Sequence, residues 1–296
     1  MKRLQSKRIL GVFEFLLFTI PALAFVLFST NIPFLMNIYY SVFKWNGISK
    51  NMQFVGLKNF VHVIFNDSTF LKSAVFTMKF TFFYVILANI ISLAVALVLA
   101  KEMRSSKIGR VFYYIPYIIS LTAISLIWKF LVGPGFEAMY TSTGFEFFDW
   151  SWMGTPKLAF YIVVIMQVWR GLGFYMVTYI AGIIVVPKDI LEAASIDGAS
   201  KFQVLKHVLL PSIMPSITIC VMTSLINAFK LFDIILVFTK GGPANSTASV
   251  AYNIYNEAFI NSNYGLATAK SLLFFVSVLV VTLLQLKLTK SREIEV

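Results

Sequence analysis

The chain has 296 residues, of which 58% are hydrophobic, 16% are aromatic and 13% are charged. Too little polar side-chain surface remains to cover a water-soluble domain, so a soluble protein is excluded. The net charge of +12 alone would be compatible with nucleic-acid binding, but the placement of the basic residues argues against it. The single cysteine, Cys220, lies in an apolar run, which excludes a disulfide framework.

Six apolar segments have about the 20 residues that a helix needs to cross a bilayer. In chain order they are Ile9–Thr30, Leu71–Ala100, Val111–Val132, Leu158–Val186, Ile213–Phe238 and Ala267–Leu288. The first follows a basic N-terminus, as in a signal peptide, but it is too long and no small-residue cleavage site follows it, so we interpret it as a retained anchor. The sequence predicts an all-α polytopic membrane protein with six transmembrane helices over 9–289 and tails at 1–8 and 290–296.

Basic residues predict the orientation of these spans. Lysines and arginines are concentrated in 2–8, 101–110, 188–206 and 287–292. The loops on the other side hold only Lys44, Lys50, Lys58 and Lys240 outside the apolar segments. Because cytoplasmic loops carry the excess of basic residues, both termini and the loop between the fourth and fifth spans are expected in the cytoplasm.

That loop, Val186 to Pro215, is a polar stretch between two long apolar segments. Asp189 followed by Glu192 has the spacing of a capping box, and Ser200 followed by Gln203 repeats it. Gly198 between them can adopt the left-handed conformation that ends a helix. The spacing predicts two short helices joined by a sharp bend. An amphipathic loop that rests on the membrane surface fits the same pattern.

The residues Glu192-Ala-Ala-Ser-Ile-Asp-Gly-Ala199, followed by Phe202 and Leu210-Pro211, resemble the "EAA" loop of binding-protein-dependent ABC importer permeases. The resemblance implies a type I ABC importer permease fold in a bacterial or archaeal cytoplasmic membrane. It also implies that loop 187–212 carries the coupling helix, which sits in a cleft of a cytoplasmic ATPase. The coupling residues would be Glu192, Ala193, Ala194, Asp197, Gly198 and Ala199.

Further motifs resemble the carbohydrate-uptake branch of that family, in particular its maltose MalF-like permeases. They are Phe54–Phe60, Tyr113–Ser120 with Trp128, Phe232–Pro243 and Tyr264–Ala269. The chain has no room for the large extra periplasmic domain of the enteric maltose protein, so it is similar to the shorter six-span members. The resemblance implies four kinds of partner: a second homologous permease, a cytoplasmic ATPase dimer, an extracytoplasmic solute-binding protein and a carbohydrate, foremost an oligosaccharide or glycan fragment.

Polar side chains within the spans are candidate pore-lining groups, because each is expensive in hydrocarbon and should face protein or water. Ser224, Asn227, Ala228 and Leu231 share one helical stripe. Aromatic rings and planar amides are also suited to binding sugars. The predicted substrate path includes Gln167, Trp169, Arg170, Asn227 and Lys230. In maltose-type permeases the sugar contacts lie on the helices that flank the coupling loop, and that resemblance implies Gly173, Tyr175, Ser224, Ala228 and Leu231 as further members of the path.

Structural roles are open for the same residues. Buried Asn, Gln and Ser side chains often join helices through hydrogen bonds. Lys230 and Asp233 have the spacing of a structural ion pair, and Arg170 and Lys129 are long enough to snorkel to an interface.

Catalytic motifs are absent from the sequence. No Gly-x-x-x-x-Gly-Lys-Ser/Thr loop is present, so no cofactor is expected in this chain, and ATP and Mg²⁺ would bind to the partner ATPase. Two other function classes stay open: an ion-coupled secondary transporter with Glu14, Asp233 or Lys230 as its ion sites, and a membrane-bound enzyme. The enzyme is disfavoured because no nucleophile–base or metal-binding set is found.

Overall fold

The computed structural model describes residues 15–101 and 104–290, which are almost entirely helical. In chain order the helices are α1 (Phe15–Ser41), α2 (Lys58–Phe65), α3 (Ser68–Leu99), α4 (Arg104–Ile118), α5 (Leu121–Thr143), α6 (Pro156–Val185), α7 (Lys188–Ile196), α8 (Lys201–Ser212), α9 (Met214–Phe229), α10 (Val250–Tyr255) and α11 (Tyr264–Lys290). Strands β1 (Phe43–Lys44) and β2 (Gln53–Phe54) pair antiparallel.

The predicted spans are largely confirmed. Within the described residues, α1, α3, α5, α6 and α11 are long and apolar enough to cross a membrane, and α8 with α9 adds a sixth span if the bent pair counts as one. The second and fourth predicted segments match α3 and α6 within three residues at each end. The first span continues past its predicted end at Thr30 to Ser41. Glu14 and the predicted tail 1–8 lie outside the described residues.

Two predicted spans are wrong because each apolar run is interrupted by residues outside a helix. The predicted span Val111–Val132 is two helices, α4 and α5. Ser120 between them is extended, and its hydroxyl accepts a hydrogen bond from the Ala123 amide at 3.3 Å, which starts the new helix. The predicted span Ile213–Phe238 is helical only to Phe229, after which the chain leaves the helix and resumes as a π-helical turn at Ile235–Thr239.

The chain divides into two compact units, Met1–Asn66 with Ile254–Leu273 and Asp67–Asn253 with Phe274–Val296. The hydrophobic core of the second unit forms where α3 packs on α6. Phe80 and Tyr84 are fully buried on α3, with their rings stacked 5.5 Å apart. Tyr175 and Met176 are fully buried on α6. Moving one such side chain from water into the core stabilises the folded chain by about 1.5–3 kcal/mol.

The first unit contains a buried ion pair that the sequence analysis did not identify. The Lys270 ammonium on α11 lies 2.7 Å from Glu257 Oε2, and the lysine side chain is fully buried. The Asn263 amide donates to the other carboxylate oxygen at 3.0 Å. Removing one partner of such a pair leaves an uncompensated buried charge, which is strongly destabilising.

We expect Lys270→Ala to lower the free energy of unfolding by about 3–5 kcal/mol. Thermal unfolding of the purified chain in detergent measures the effect. The control is Lys50→Ala, because Lys50 is exposed and makes no ion pair among the described residues. Equal unfolding temperatures for the two variants would show that the pair does not stabilise this unit.

Candidate functional site

The first candidate site is the bend between α7 and α8. Gly198 has φ +84°, in the left-handed region that glycine adopts without strain. The Ala199 amide donates to Ala194 O at 3.1 Å, and the Gly198 amide donates to Ser195 O at 3.2 Å. These are the two bonds of a Schellman motif, which closes the end of α7 and turns the chain. The predicted pair of short helices joined at Gly198 is confirmed.

The two predicted capping boxes have different outcomes. The Ser200–Gln203 box forms: Gln203 Oε1 accepts from the Ser200 amide at 2.8 Å, and Ser200 Oγ accepts from the Gln203 amide at 3.4 Å. The predicted capping box of Asp189 with Glu192 is wrong, because these side chains do not form it. Because the fixed φ of Pro187 lets α7 begin at Lys188, Pro187 occupies the capping position, and no side chain caps this end. Asp189 lies in the first turn of α7, where its negative charge interacts favourably with the positive end of the helix dipole.

The bend presents an exposed surface. Glu192, Ala193, Asp197 and Gly198 are exposed, and Ala194 and Ala199 are half-buried. No residue of α7 is buried. Ile196 and Phe202 flank the bend with 85% and 69% of their surface exposed, which is unusual for large apolar side chains outside a membrane span. The surface therefore combines small residues, the carboxylates of Glu192 and Asp197 and two apolar side chains. This composition is suited to contact with another protein.

The opposite side of the loop is attached to the helices that flank it. Leu191 of α7, together with Leu205 and Leu210 of α8, packs against the buried core. The end of α6 lies so close to the start of α9 that a side chain at Gly182 would collide with Ser216. The loop is therefore in direct contact with the core, and the two spans that flank it are in contact with each other.

The second candidate site is a network of polar side chains within the spans. The hydroxyls of Tyr84 and Tyr175 lie 3.0 Å apart, and Asn227 Nδ2 donates to Tyr175 Oη at 3.1 Å. Tyr179 Oη donates to Asn89 Oδ1 at 2.7 Å, and Asn89 Nδ2 donates to Ser224 Oγ at 2.9 Å. Each chain of bonds joins α3 to α6 and α9. The network therefore holds these three spans together.

A cavity of about 180 Å³ adjoins the network at Asn227. Its lining residues are Leu121, Gln167, Arg170, Asn227, Lys230, Leu231, Phe232, Asp233 and Ile234. Gln167 is only 4% exposed, yet its Oε1 atom has no hydrogen-bond partner in the described structure, and the same holds for Arg170 Nε. Buried polar atoms are rarely left unsatisfied, so these two groups are available to a ligand or to water.

Charged groups surround the cavity without neutralising one another. The Arg170 guanidinium lies 5.2 Å from the centre of the Tyr117 ring, a cation–π distance. Among the described residues Lys230 and Asp233 form no ion pair, so the structural pair considered from their spacing is not made. Within the same residues, no group of three or more His, Cys, Asp and Glu side chains could hold a metal ion.

The predicted substrate-path residues divide into three groups. Gln167, Arg170, Asn227, Lys230 and Leu231 line the cavity, and Tyr175 and Ser224 belong to the network. The remaining residues contact other parts of the protein, although Trp169 is also 40% exposed. Ala228 is fully buried, Trp169 packs edge-to-face on Trp128 at 5.8 Å, and a side chain at Gly173 would collide with the backbone of α4 at Tyr113.

The sequence analysis missed Tyr84, Asn89 and Tyr117 as members of this region. Asn89 had a usable signal, because an asparagine in the middle of an apolar span should have a partner inside the protein. Tyr84 and Tyr117 gave no such signal, since tyrosine is also common in spans that pack only through their rings.

Known proteins resemble the chain over nearly its whole length. The family described as "Binding-protein-dependent transport system inner membrane component" matches residues 91–293. The probable starch degradation products transport system permease protein AmyD of Thermoanaerobacterium thermosulfurigenes is 34% identical, over 94% of each chain. The multiple sugar-binding transport system permease protein MsmF of Streptococcus mutans is 31% identical, over 88% of this chain and 90% of that one.

A solved structure supports the fold. One chain of a bacterial ABC transporter involved in the import of the acidic polysaccharide alginate aligns with a TM-score of 0.80. The alignment covers 96% of this chain and 98% of that one, at 19% identity. The predicted all-α polytopic permease fold is confirmed.

We expect Asn89→Ala to lower the thermal unfolding midpoint, because the change removes hydrogen bonds from α3 to both α6 and α9. Each interhelical bond contributes about 0.6–2 kcal/mol. The matched control is Asn51→Ala, which changes the same side chain at an exposed position outside the spans. An unfolding midpoint for Asn89→Ala that equals the control value would contradict a stabilising role for the network.

Proposed function

The chain belongs to the family of inner-membrane components of binding-protein-dependent transport systems, and we propose that it is the permease subunit of an ATP-binding cassette importer for carbohydrate. The observation that carries this proposal is the exposed bend at Gly198, which bears Glu192–Ala199 and is attached to α6 and α9. Nothing in the comparisons supports the ion-coupled alternative, because the matching family is described as binding-protein-dependent and the similar solved structure is an ABC transporter.

In the proposed mechanism, a separate ATPase binds the bend on the cytoplasmic side. ATP and Mg²⁺ would bind to that partner, whose closure would move Glu192, Asp197 and Gly198 together. Because Leu191 and Leu205 pack against the core, the movement reaches α6 and α9 as a displacement of packed helices. A second, related permease would form the other half of the path, and a solute-binding protein would deliver the substrate from the opposite side. Both termini would be cytoplasmic. Access would alternate by a rigid-body movement of this kind.

The cavity beside Asn227 is the proposed contact point for the substrate. Sugars present paired hydroxyls, which hydrogen-bond to amides such as Gln167 and Asn227. The unsatisfied Gln167 Oε1 would accept a hydrogen bond from a sugar hydroxyl without losing any bond within the chain. A volume of about 180 Å³ is below the range of about 300–1,000 Å³ typical of complete ligand sites, which fits a half-site completed by the second permease. An oligosaccharide is the favoured substrate, in line with the starch-product and multiple-sugar relatives.

We expect Gly198→Trp to reduce ATP-dependent uptake about tenfold or more, because a large side chain at an interface position excludes the partner. Uptake of labelled oligosaccharide into proteoliposomes that hold the reconstituted complex, with ATP on the ATPase side, measures the effect. Gly144→Trp is a matched control, since Gly144 also has positive φ, at +67°, and open space around it. Equal uptake by the two variants would rule out docking at the bend.

A smaller change tests the carboxylate at the bend. We expect Glu192→Ala to reduce uptake while the variant remains in the membrane, with exposed Glu137→Ala as its control.

An uncoupler separates the two transport classes in the same vesicles: an ATP-driven importer continues to work, whereas an ion-coupled carrier stops.

We expect Gln167→Leu to raise the substrate concentration at half-maximal uptake about three- to tenfold, the effect of one lost hydrogen bond. Gln285→Leu is the control, because Gln285 also has an unpaired buried oxygen but does not line the cavity. A shift of the same size in both variants would indicate a general packing effect and remove the cavity from the substrate path.

A further inference from the structure

A second, larger cavity lies between α3 and α6 at the end where both helices begin. Its volume is about 500 Å³. The lining residues are Lys72, Val75, Phe76, Lys79, Phe83, Pro156, Lys157, Phe160, Tyr161 and Ser246. It shares none of its lining with the cavity beside Asn227. We refer to it as the lysine groove.

The charge of the lysine groove is uniformly positive. Lys72, Lys79 and Lys157 are all exposed, and no aspartate or glutamate lines the groove. None of the three lysines makes an ion pair within the described part of the chain. Ser246 contributes a hydroxyl oxygen that is buried and has no hydrogen-bond partner there. Three cations and one free hydroxyl at one site are suited to an anion.

The lysines lie at the edge of the membrane rather than in its centre. Residues 80–99 of α3 contain no charged side chain, and a helix of that length spans about 30 Å, the thickness of the hydrocarbon core. Lys79 directly precedes this stretch, and Lys72 lies two turns further out on the same face. The Phe160 ring of α6 lies 5.9 Å from the Phe76 ring and 5.8 Å from the Phe83 ring. Lys157 is one turn nearer the start of α6, so it lies at a level between Lys72 and Lys79.

The walls of the groove are apolar beside these charges. Val75, Phe83 and Tyr161 are 53%, 40% and 41% exposed, and they lie within one turn or so of a lysine along their helices. A soluble anion would use the charges but leave this apolar surface uncovered. An amphiphile whose anionic group sits at the membrane edge would cover both.

We propose that the lysine groove binds an anionic phospholipid. Its phosphate contacts Lys72, Lys79 and Lys157, and one acyl chain lies along Val75, Phe83 and Tyr161. Electrostatic attraction of lysine to anionic lipid acts within the Debye length of the headgroups, where these side chains are placed. The proposal needs only that α3 and α6 span the membrane, and it is independent of the transported substrate.

The test is lipid binding to the purified full-length chain in a neutral detergent, followed by native mass spectrometry. Phosphatidylglycerol and phosphatidylcholine of equal chain length are titrated separately. We expect the chain to retain phosphatidylglycerol in preference to phosphatidylcholine. The variant Lys72→Gln/Lys79→Gln/Lys157→Gln should lose about tenfold or more of its affinity for phosphatidylglycerol.

The control variant Lys44→Gln/Lys50→Gln/Lys58→Gln removes the same charge from exposed lysines that do not line the groove. It should bind phosphatidylglycerol like the unmodified chain. Equal losses in the two triple variants, or no preference between the lipids, would overturn the proposal. If the groove variant fails to fold, the single change Lys79→Gln takes its place, with Lys58→Gln as its control and a loss of about threefold expected.

Two further titrations separate the lipid from other anions. Soluble glycerol phosphate should not displace the bound phosphatidylglycerol, because it has no acyl chain to cover the apolar wall. A polyglutamate peptide should not displace it either. Displacement by the phosphate ester would assign the groove to a free anion, and displacement by the peptide would assign it to an acidic protein surface; either result contradicts a lipid site.

Discussion

Hydrocarbon offers no hydrogen bonds, so each polar group on a membrane-spanning helix needs a partner within the protein. This requirement governs how α3, α6 and α9 are arranged. Asn89 illustrates it, because its amide donates to Val85 O at 2.7 Å and to Ser224 Oγ at 2.9 Å, while its carbonyl accepts from Tyr179. Ser92 Oγ likewise donates to Leu172 O at 3.2 Å. These bonds connect the three helices at defined positions, in addition to the packing of their apolar side chains.

Two of the exceptions to that requirement lie together at the cavity beside Asn227. Gln167 Oε1 and Arg170 Nε are buried and unsatisfied on the helix that also carries Tyr175. One side of that helix is therefore joined to α3 and α9 by hydrogen bonds, whereas the side facing the cavity keeps one acceptor and one donor without a partner in the described structure. Rigid support beside free polar groups is the arrangement expected of a specific site.

The bend at Gly198 depends on different physics. Its helices are too short to be stable alone, so the loop relies on the Schellman bonds, the Ser200–Gln203 box and the anchoring of Leu191 and Leu205 on the core. This leaves its outer surface, including Ile196 and Phe202, without cover in the described structure. The bend is therefore attached to the core on one side and exposed on the other.

The sequence by itself determined the all-α class, the approximate spans and the bend at Gly198. Each of these is a local property, fixed by the length of an apolar run or by residues a few positions apart. Tertiary structure decided the rest. It left Lys230 and Asp233 unpaired with each other and brought Lys270 to Glu257. It also placed Tyr84 beside Tyr175, although 91 residues separate them. Hydrophobicity shows that a polar group in a span needs a partner, but only the packing of helices distant in sequence determines which partner is within reach.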